Sequence, residues 1–151
     1  MASKYKYKAR CDNAPHIYAV ADRAYQDMLH HQEVQNIILT GETGSGKSTA
    51  GKHILWHLAN LSASNKKMMD RIMKVETVLH AFGNGSTIFN DRATGYIQYL
   101  ELTFTKTGKL SGGIVSLYGL KKYRVTSPGR YIYANVTAIL MEAISNNFAF
   151  L

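Results

Sequence analysis

The chain is 151 residues long and 46% hydrophobic, with a formal charge of +8 and a single cysteine, Cys11. That size gives one domain or part of one, the lone cysteine excludes an intrachain disulfide, and a reducing cytosol is the expected setting. No apolar run approaches the ~20 residues of a membrane span, and Met1-Ala2-Ser3-Lys4 leads into Tyr5, Lys6, Tyr7 and Lys8 rather than into an apolar signal core.

In chain order, residues 1–12 read as a polar, basic and loose lead-in. A helix is expected from Pro15, which suits a first turn, to about His31, with Ile17, Val20, Ala21, Ala24 and Met28 at helical spacing. Ile37-Ile38-Leu39 reads as a short buried strand, and Thr49 to Leu61 as a helix with Ala50, Ile54, Leu58 and Leu61 along one face. After the polar break Ser62-Ala63-Ser64-Asn65, a further helix is expected from Lys66 to Phe82. Met68, Ile72, Val75, Leu79 and Phe82 form its buried stripe, and Gly83 is its terminator. Gly85 to Gly95 is loop-like. Tyr96 to Phe104 and Ile114 to Tyr118 read as strands joined through the turn Thr107-Gly108-Lys109 into an antiparallel hairpin. Ser127-Pro128-Gly129 breaks the chain, and 135–151 is apolar with helical character.

Between the short strand and its helix lies Gly41-Glu42-Thr43-Gly44-Ser45-Gly46-Lys47-Ser48, which fits the phosphate-binding pattern G-x-x-x-x-G-K-[ST] without a mismatch. The glycines let the backbone curl close to phosphates. The curled N–H groups and the helix N-terminus offer positive partial charge to an anion. Lys47 can reach β- and γ-phosphates, and the Ser48 hydroxyl is suited to Mg²⁺. Nucleotide binding follows from this set; hydrolysis is a separate question.

The pieces together resemble the myosin motor domain from about residue 13 to 125. Asn13 to Tyr25 is similar to "PPHIFAVADRAY", Gln35 to Ser48 to "QCILISGESGAGKT", and Ala81-Phe82-Gly83-Asn84 to the "AFGN" before switch I. Thr107 to Leu110 and Tyr118 to Val125 resemble "TGKL" and "YLLEKSRV", with Lys121 in place of the family's glutamate. The stretch from Asn90-Asp91 through Gln98-Tyr99 and on to Gly112 looks most like class III myosins.

The resemblance implies an α/β P-loop NTPase fold carrying part of a myosin head: a lead-in at 1–12, a partial motor domain at 13–125 and a divergent tail at 126–151. It implies ATP and Mg²⁺ as ligands, bound by Gly41, Glu42, Thr43, Gly44, Ser45, Gly46, Lys47 and Ser48. It also implies actin filaments as partner, a light chain or calmodulin on the full-length protein, and a place in the cytoplasmic actin cytoskeleton.

Switch I departs from the family's "NDNSSRFGK". Asn90-Asp91 is followed by Arg92-Ala93-Thr94-Gly95, which leaves Thr94 as the hydroxyl for a switch serine's place on Mg²⁺ and the attacking water. Asn90 is a nucleotide-side candidate or a turn residue, and Arg92 is displaced from the family's arginine. The family's "NPY" and "DIxGFE" segments and its actin-binding cleft are absent, so the sequence is expected to be a fragment of a head. Two rival functions remain: a non-hydrolysing, actin-tethering or scaffold myosin, and a small P-loop metabolite kinase.

Other constellations carry less. The charge of +8 suits an anionic partner, but the basic residues are scattered and no nucleic-acid motif accompanies them. His53 and His57 have zinc-compatible spacing, yet lack the glutamate of H-E-x-x-H and a third ligand, so packed or surface histidines are expected. Glu101 has an ordinary strand position, and Cys11 has no base partner.

Overall fold

The computed structural model describes residues 2–8, 12–62 and 66–120. The expected helix at 135–151, the 126–151 tail, the end of the "YLLEKSRV"-like segment and Cys11 lie outside them. The described residues form α1 (Ile17–His31), α2 (Lys47–Leu61), α3 (Lys66–Gly83), β1 (Asn84–Gly85), β2 (Ala93–Thr94), β3 (Ile97–Phe104) and β4 (Leu110–Tyr118). Among them, no helix is long and apolar enough to cross a membrane.

The chain divides into two compact units. One comprises Met1–Asp70 with Leu102–Gly113, the other Arg71–Glu101 with Ile114–Leu151. In the first, α1 starts at Ile17 rather than Pro15, because His16 takes the capping role: its Nδ1 accepts from the Tyr18 amide at 3.1 Å. At the other end Gln32 closes the helix in the left-handed region, its amide on Met28 O at 3.0 Å. The basic last turn, His30-His31, suits the helix dipole.

The core of this unit is the seam between α1 and α2. Ala21 and Tyr25 meet Ile54, Leu58 and Leu61, with Ile17, Met28, Leu29, Ile37, Leu102 and Phe104 packed around them. Helical spacing named Ile54, Leu58 and Leu61 correctly, but Val20 is half exposed and Tyr18 and Tyr25 take the buried places instead. The apolar stripe of α1 is therefore rotated toward its tyrosines, whose rings fill the seam. Tyr25 also fixes the hairpin tip: its hydroxyl donates to Gly108 O at 2.7 Å in a buried setting, and its ring lies edge-on to Phe104.

Two sequence expectations fail here. The lead-in is docked, not loose. A 3-10 turn at Ala2–Lys4 is held by Asn13 Nδ2 on Lys4 O at 2.9 Å, Tyr5 stacks on His16, and the Tyr7 amide donates to Asp22 Oδ1 at 3.2 Å. Ile37-Ile38-Leu39 forms no strand. Ile37 packs on the seam, but Ile38 is 81% exposed and Leu39 42%. A strand needs a neighbour's backbone groups, and no described residue pairs with this segment.

In the second unit, α3 departs from its expected stripe. Val75 and Phe82 are exposed by more than two fifths, whereas Glu76 and Ala81 are buried. Gly83 ends the helix, and β1 follows at once. β1 and β2 pair antiparallel, Asn84 opposite Thr94 and Gly85 opposite Ala93, inside a stretch expected to be loop. Strands β3 and β4 form the predicted hairpin. Its connection at 105–109 is too short for anything but antiparallel pairing. Side chains of β3 alternate between half-buried and exposed, and Glu101 sits on the exposed side as alternation requires.

At the hairpin tip Gly108 has φ +81, and a Cβ there would collide with the Tyr25 hydroxyl. Gly108→Ala therefore combines left-handed strain with loss of a buried contact, and should cost about 1–3 kcal/mol of stability in urea unfolding. Gly112→Ala, in open space on the same hairpin, should cost less than half as much.

Candidate functional site

Gly41–Ser48 bridges the extended segment and α2. Gly41, Gly44 and Gly46 have φ of +143, +83 and +86, backbone that other residues adopt only with strain. Gly46 is the left-handed N-cap of α2 and offers no side-chain cap; the first helical bond runs from the Ala50 amide to Gly46 O at 2.8 Å. The amides of the first turn thus face the loop rather than a capping side chain. Gly41 must lack a side chain for a second reason: a Cβ would come within 3.0 Å of Ser45 Oγ.

Lys47 organises the loop. Its Nζ donates to Gly41 O at 2.7 Å and to Glu42 O at 2.6 Å, and lies 3.5 Å from Ser45 Oγ. The Ser45 amide closes a turn on Glu42 O at 3.2 Å. One ammonium therefore draws the front of the loop toward the start of α2. Residues Gly41 to Gly46 and Ser48 are exposed, and Lys47 is half-buried. Backbone amides at a helix N-terminus beside a cation are chemistry for an anion with several oxygens. The Ser48 hydroxyl stands in the first turn, on the same rim. This set fits a phosphate chain with its divalent cation: the cation needs few protein ligands when phosphate oxygens and water supply the rest.

The remaining sequence candidates belong to the second unit. Asn90 is a turn residue. Its Oδ1 accepts from the Arg92 amide at 3.0 Å, and its backbone exchanges bonds with Thr87, N–H to O at 3.3 Å and O from N–H at 2.9 Å. Thr87 Oγ1 donates to Asn90 O at 3.1 Å, and Ser86 Oγ donates to Asp91 Oδ1 at 3.4 Å. The tip this closes presents Ile88 and Phe89 almost fully to solvent. Thr94 is exposed on β2.

His53 and His57 do not form a metal pair. His57 is 1% exposed and stacks on Tyr18, with ring centroids 4.6 Å apart. His53 stands edge-on to the same tyrosine, with ring centroids 6.3 Å apart. Among the described residues, no cluster of three or more histidine, cysteine or acidic side chains could hold a metal ion. Burial holds His57 below its ordinary value of 6.5. Asp22 opposes that shift without overcoming it, and His16 and Lys6 add to it.

Sequence reasoning missed a second buried group. Tyr96 is covered in the second unit, its ring pressed on Gly83 where no Cβ could fit, and its hydroxyl has no hydrogen-bond partner. Burial, with Glu76 adding to it, pushes the phenol up to about 12. The only sequence hint is a glycine, Gly83, at the end of a helix that precedes the aromatic.

The described residues thus form a mixed helix-and-strand protein with small antiparallel sheets and a lysine-centred glycine loop at the head of a core helix. The family model for the myosin head (motor domain) matches residues 1–130, and the chain belongs to that family. It is 44% identical over 126 residues to "Neither inactivation nor afterpotential protein C" of Drosophila melanogaster, covering 83% of this chain and 8% of that protein. It is 41% identical over 117 residues to Myosin-IIIb of Mus musculus (77% and 9%). With Unconventional myosin heavy chain 6 of Caenorhabditis elegans it shares 34% over 123 residues (82% and 6%). The class III likeness expected from the sequence is met by Myosin-IIIb. The chain spans less than a tenth of the length of each of these relatives.

The Tyr96 phenol gives a pH test with a definite sign. Its folded value lies above the ordinary 10.0, so the unfolded chain loses the proton first. The corresponding stability is intact below pH 10 and falls away between 10 and 12. Tyr96→Phe should flatten the thermal-stability profile across that window, while leaving stability near pH 7 equal or slightly higher, since an unpartnered buried hydroxyl is removed.

Proposed function

We propose that this segment is the nucleotide-binding part of an actin-based myosin motor, with Mg-ATP held on Gly41–Ser48. The observation that carries the reading is the Lys47 ammonium on the Gly41 and Glu42 carbonyls. It shapes a glycine loop around a helix N-terminus and stands ready to exchange a carbonyl for a terminal phosphate oxygen. In this reading the chain contributes a P-loop NTPase fold, with 13–125 as its motor portion and 126–151 as a divergent tail.

The amides of Gly44 to Ser48 bind phosphate oxygens, Lys47 neutralises the terminal phosphates, and Ser48 orients the cation. Ser48 would hold Mg²⁺, which would supply charge neutralisation for the phosphates. Family hydrolysis proceeds by positioning and charge stabilisation rather than by a protein nucleophile. Thr94 is the switch I candidate for the cation and the attacking water, and Asn90 the nucleotide-side candidate of the same segment. Actin filaments, a light chain or calmodulin, and the cytoplasmic actin cytoskeleton are the partners and place of the full-length protein.

One observation favours a second reading, a myosin that binds nucleotide and actin without turnover: Asn90 Oδ1 is committed to the Arg92 amide. Membership of the myosin head family argues against a small metabolite kinase.

The test is calorimetric titration of Mg-ATP into the chain. Losing a charge-assisted contact is worth about 1.5–3 kcal/mol, so Lys47→Ala should weaken binding by about 10- to 100-fold. Ser48→Ala should weaken it mainly when Mg²⁺ is present. Equal affinity in wild type and Lys47→Ala would refute the assignment. Phosphate release by the full-length head on actin separates the motor from the tether.

A further inference from the structure

His57 and Asp22 are the two most deeply buried large side chains of the described core, and the nucleotide reading uses neither. They lie on facing helices, Asp22 on α1 and His57 on α2. His57 Nε2 is 4.0 Å from Asp22 Oδ1, too far for a hydrogen bond, and neither ring nitrogen has a hydrogen-bond partner. Asp22 is engaged elsewhere. Its Oδ2 accepts from Gln26 Nε2 at 2.5 Å, and its Oδ1 accepts from the Tyr7 amide at 3.2 Å. The lead-in is therefore tied to the core through the same oxygen that faces the imidazole.

The groups around the ring are few. Asp22 faces it from α1, Tyr18 stacks on it, and His53, one turn earlier on α2, stands edge-on to Tyr18. His16 from the turn before α1 and Lys6 from the lead-in are close enough to act on its charge. Apart from Asp22, every ionisable neighbour in this set that carries charge at acidic pH is a cation.

We propose that Asp22 and His57 form a proton-operated latch that holds the lead-in on the α1–α2 pair and releases it when His57 is protonated. A neutral imidazole tolerates this dry place, and Asp22 Oδ1 stays on the Tyr7 amide. An imidazolium does not tolerate it. A charge-assisted bond from Nε2–H outcompetes a neutral amide bond for Oδ1. Departure of the lead-in also removes the Lys6 cation and lets water reach the ring. The released arrangement binds the proton more tightly than the docked one, so acid favours release. Burial lowers the proton affinity of His57 in the docked form, so release occurs below pH 6.5 and the latch is closed above it.

Hydrogen exchange on the full 151-residue chain tests this, with rates corrected for intrinsic pH dependence. Between pH 7.5 and 5.5, protection of the Tyr7 amide should fall by about threefold or more, while the Leu58 amide in α2 keeps its protection. The fall should share its midpoint with titration of the His57 ring protons. In His57→Gln the Tyr7 amide should be independent of pH, and in Asp22→Asn poorly protected at both ends. Constant Tyr7 protection in the wild type would overturn the latch. So would an equal fall in His57→Gln, or a fall shared by Leu58, which would mean global unfolding. Should either variant fail to fold, the wild-type midpoints decide alone.

Discussion

The seam between α1 and α2 is the constraint on which the glycine loop depends. The loop is exposed over most of its length, and the hydrogen bonds that shape it converge on one lysine. Such a loop keeps a useful shape only if the helix carrying Lys47 is fixed. Ile54, Leu58 and Leu61 fix it by burial against Ala21 and Tyr25, each large side chain contributing about 1.5–3 kcal/mol relative to exposure. A helix anchored along its second half presents its first turn, with Lys47 and Ser48, at a defined place. Packing, helix position and anion-binding geometry are thus one chain of cause.

The seam is not purely apolar. Asp22 and His57 share it, and Glu76, Asn84 and Tyr96 occupy the equivalent interior of the second unit. Buried polar groups oppose folding unless they are satisfied, so their presence in so small a core limits its stability. At the same time Ile38, Leu39, Val75, Val78 and Phe82 remain accessible. The matched segment covers less than a tenth of each of the three relatives.

Much of this was legible in the sequence, because periodicity reports chemistry along a face. The 3.6-residue spacing of Ile54, Leu58 and Leu61 placed α2, and alternation around Glu101 placed β3. The G-x-x-x-x-G-K-S string located the loop and its lysine. What failed has a common cause: a face can be apolar without a neighbour to cover it. Ile37–Leu39 has strand composition but no partner strand among the described residues, and Val75 and Phe82 stay more than two fifths exposed. Interactions remote in sequence were invisible for a related reason. Nothing in the string Lys4–Lys8 announces that Tyr5 will stack on His16 or that Tyr7 will bond Asp22, and the contact of Asn90 Oδ1 with the Arg92 amide was equally unannounced.

The central claim is that backbone amides between Gly41 and Ser48, organised by Lys47, receive the phosphates of a nucleotide. The most direct measurement is the amide resonance of each of these residues as Mg-ADP is added, compared with adenosine at the same concentration. The account predicts large shifts at Gly44, Gly46, Lys47 and Ser48 with Mg-ADP, and none with adenosine. Equal shifts with both ligands, or shifts confined to residues outside this loop, would contradict it.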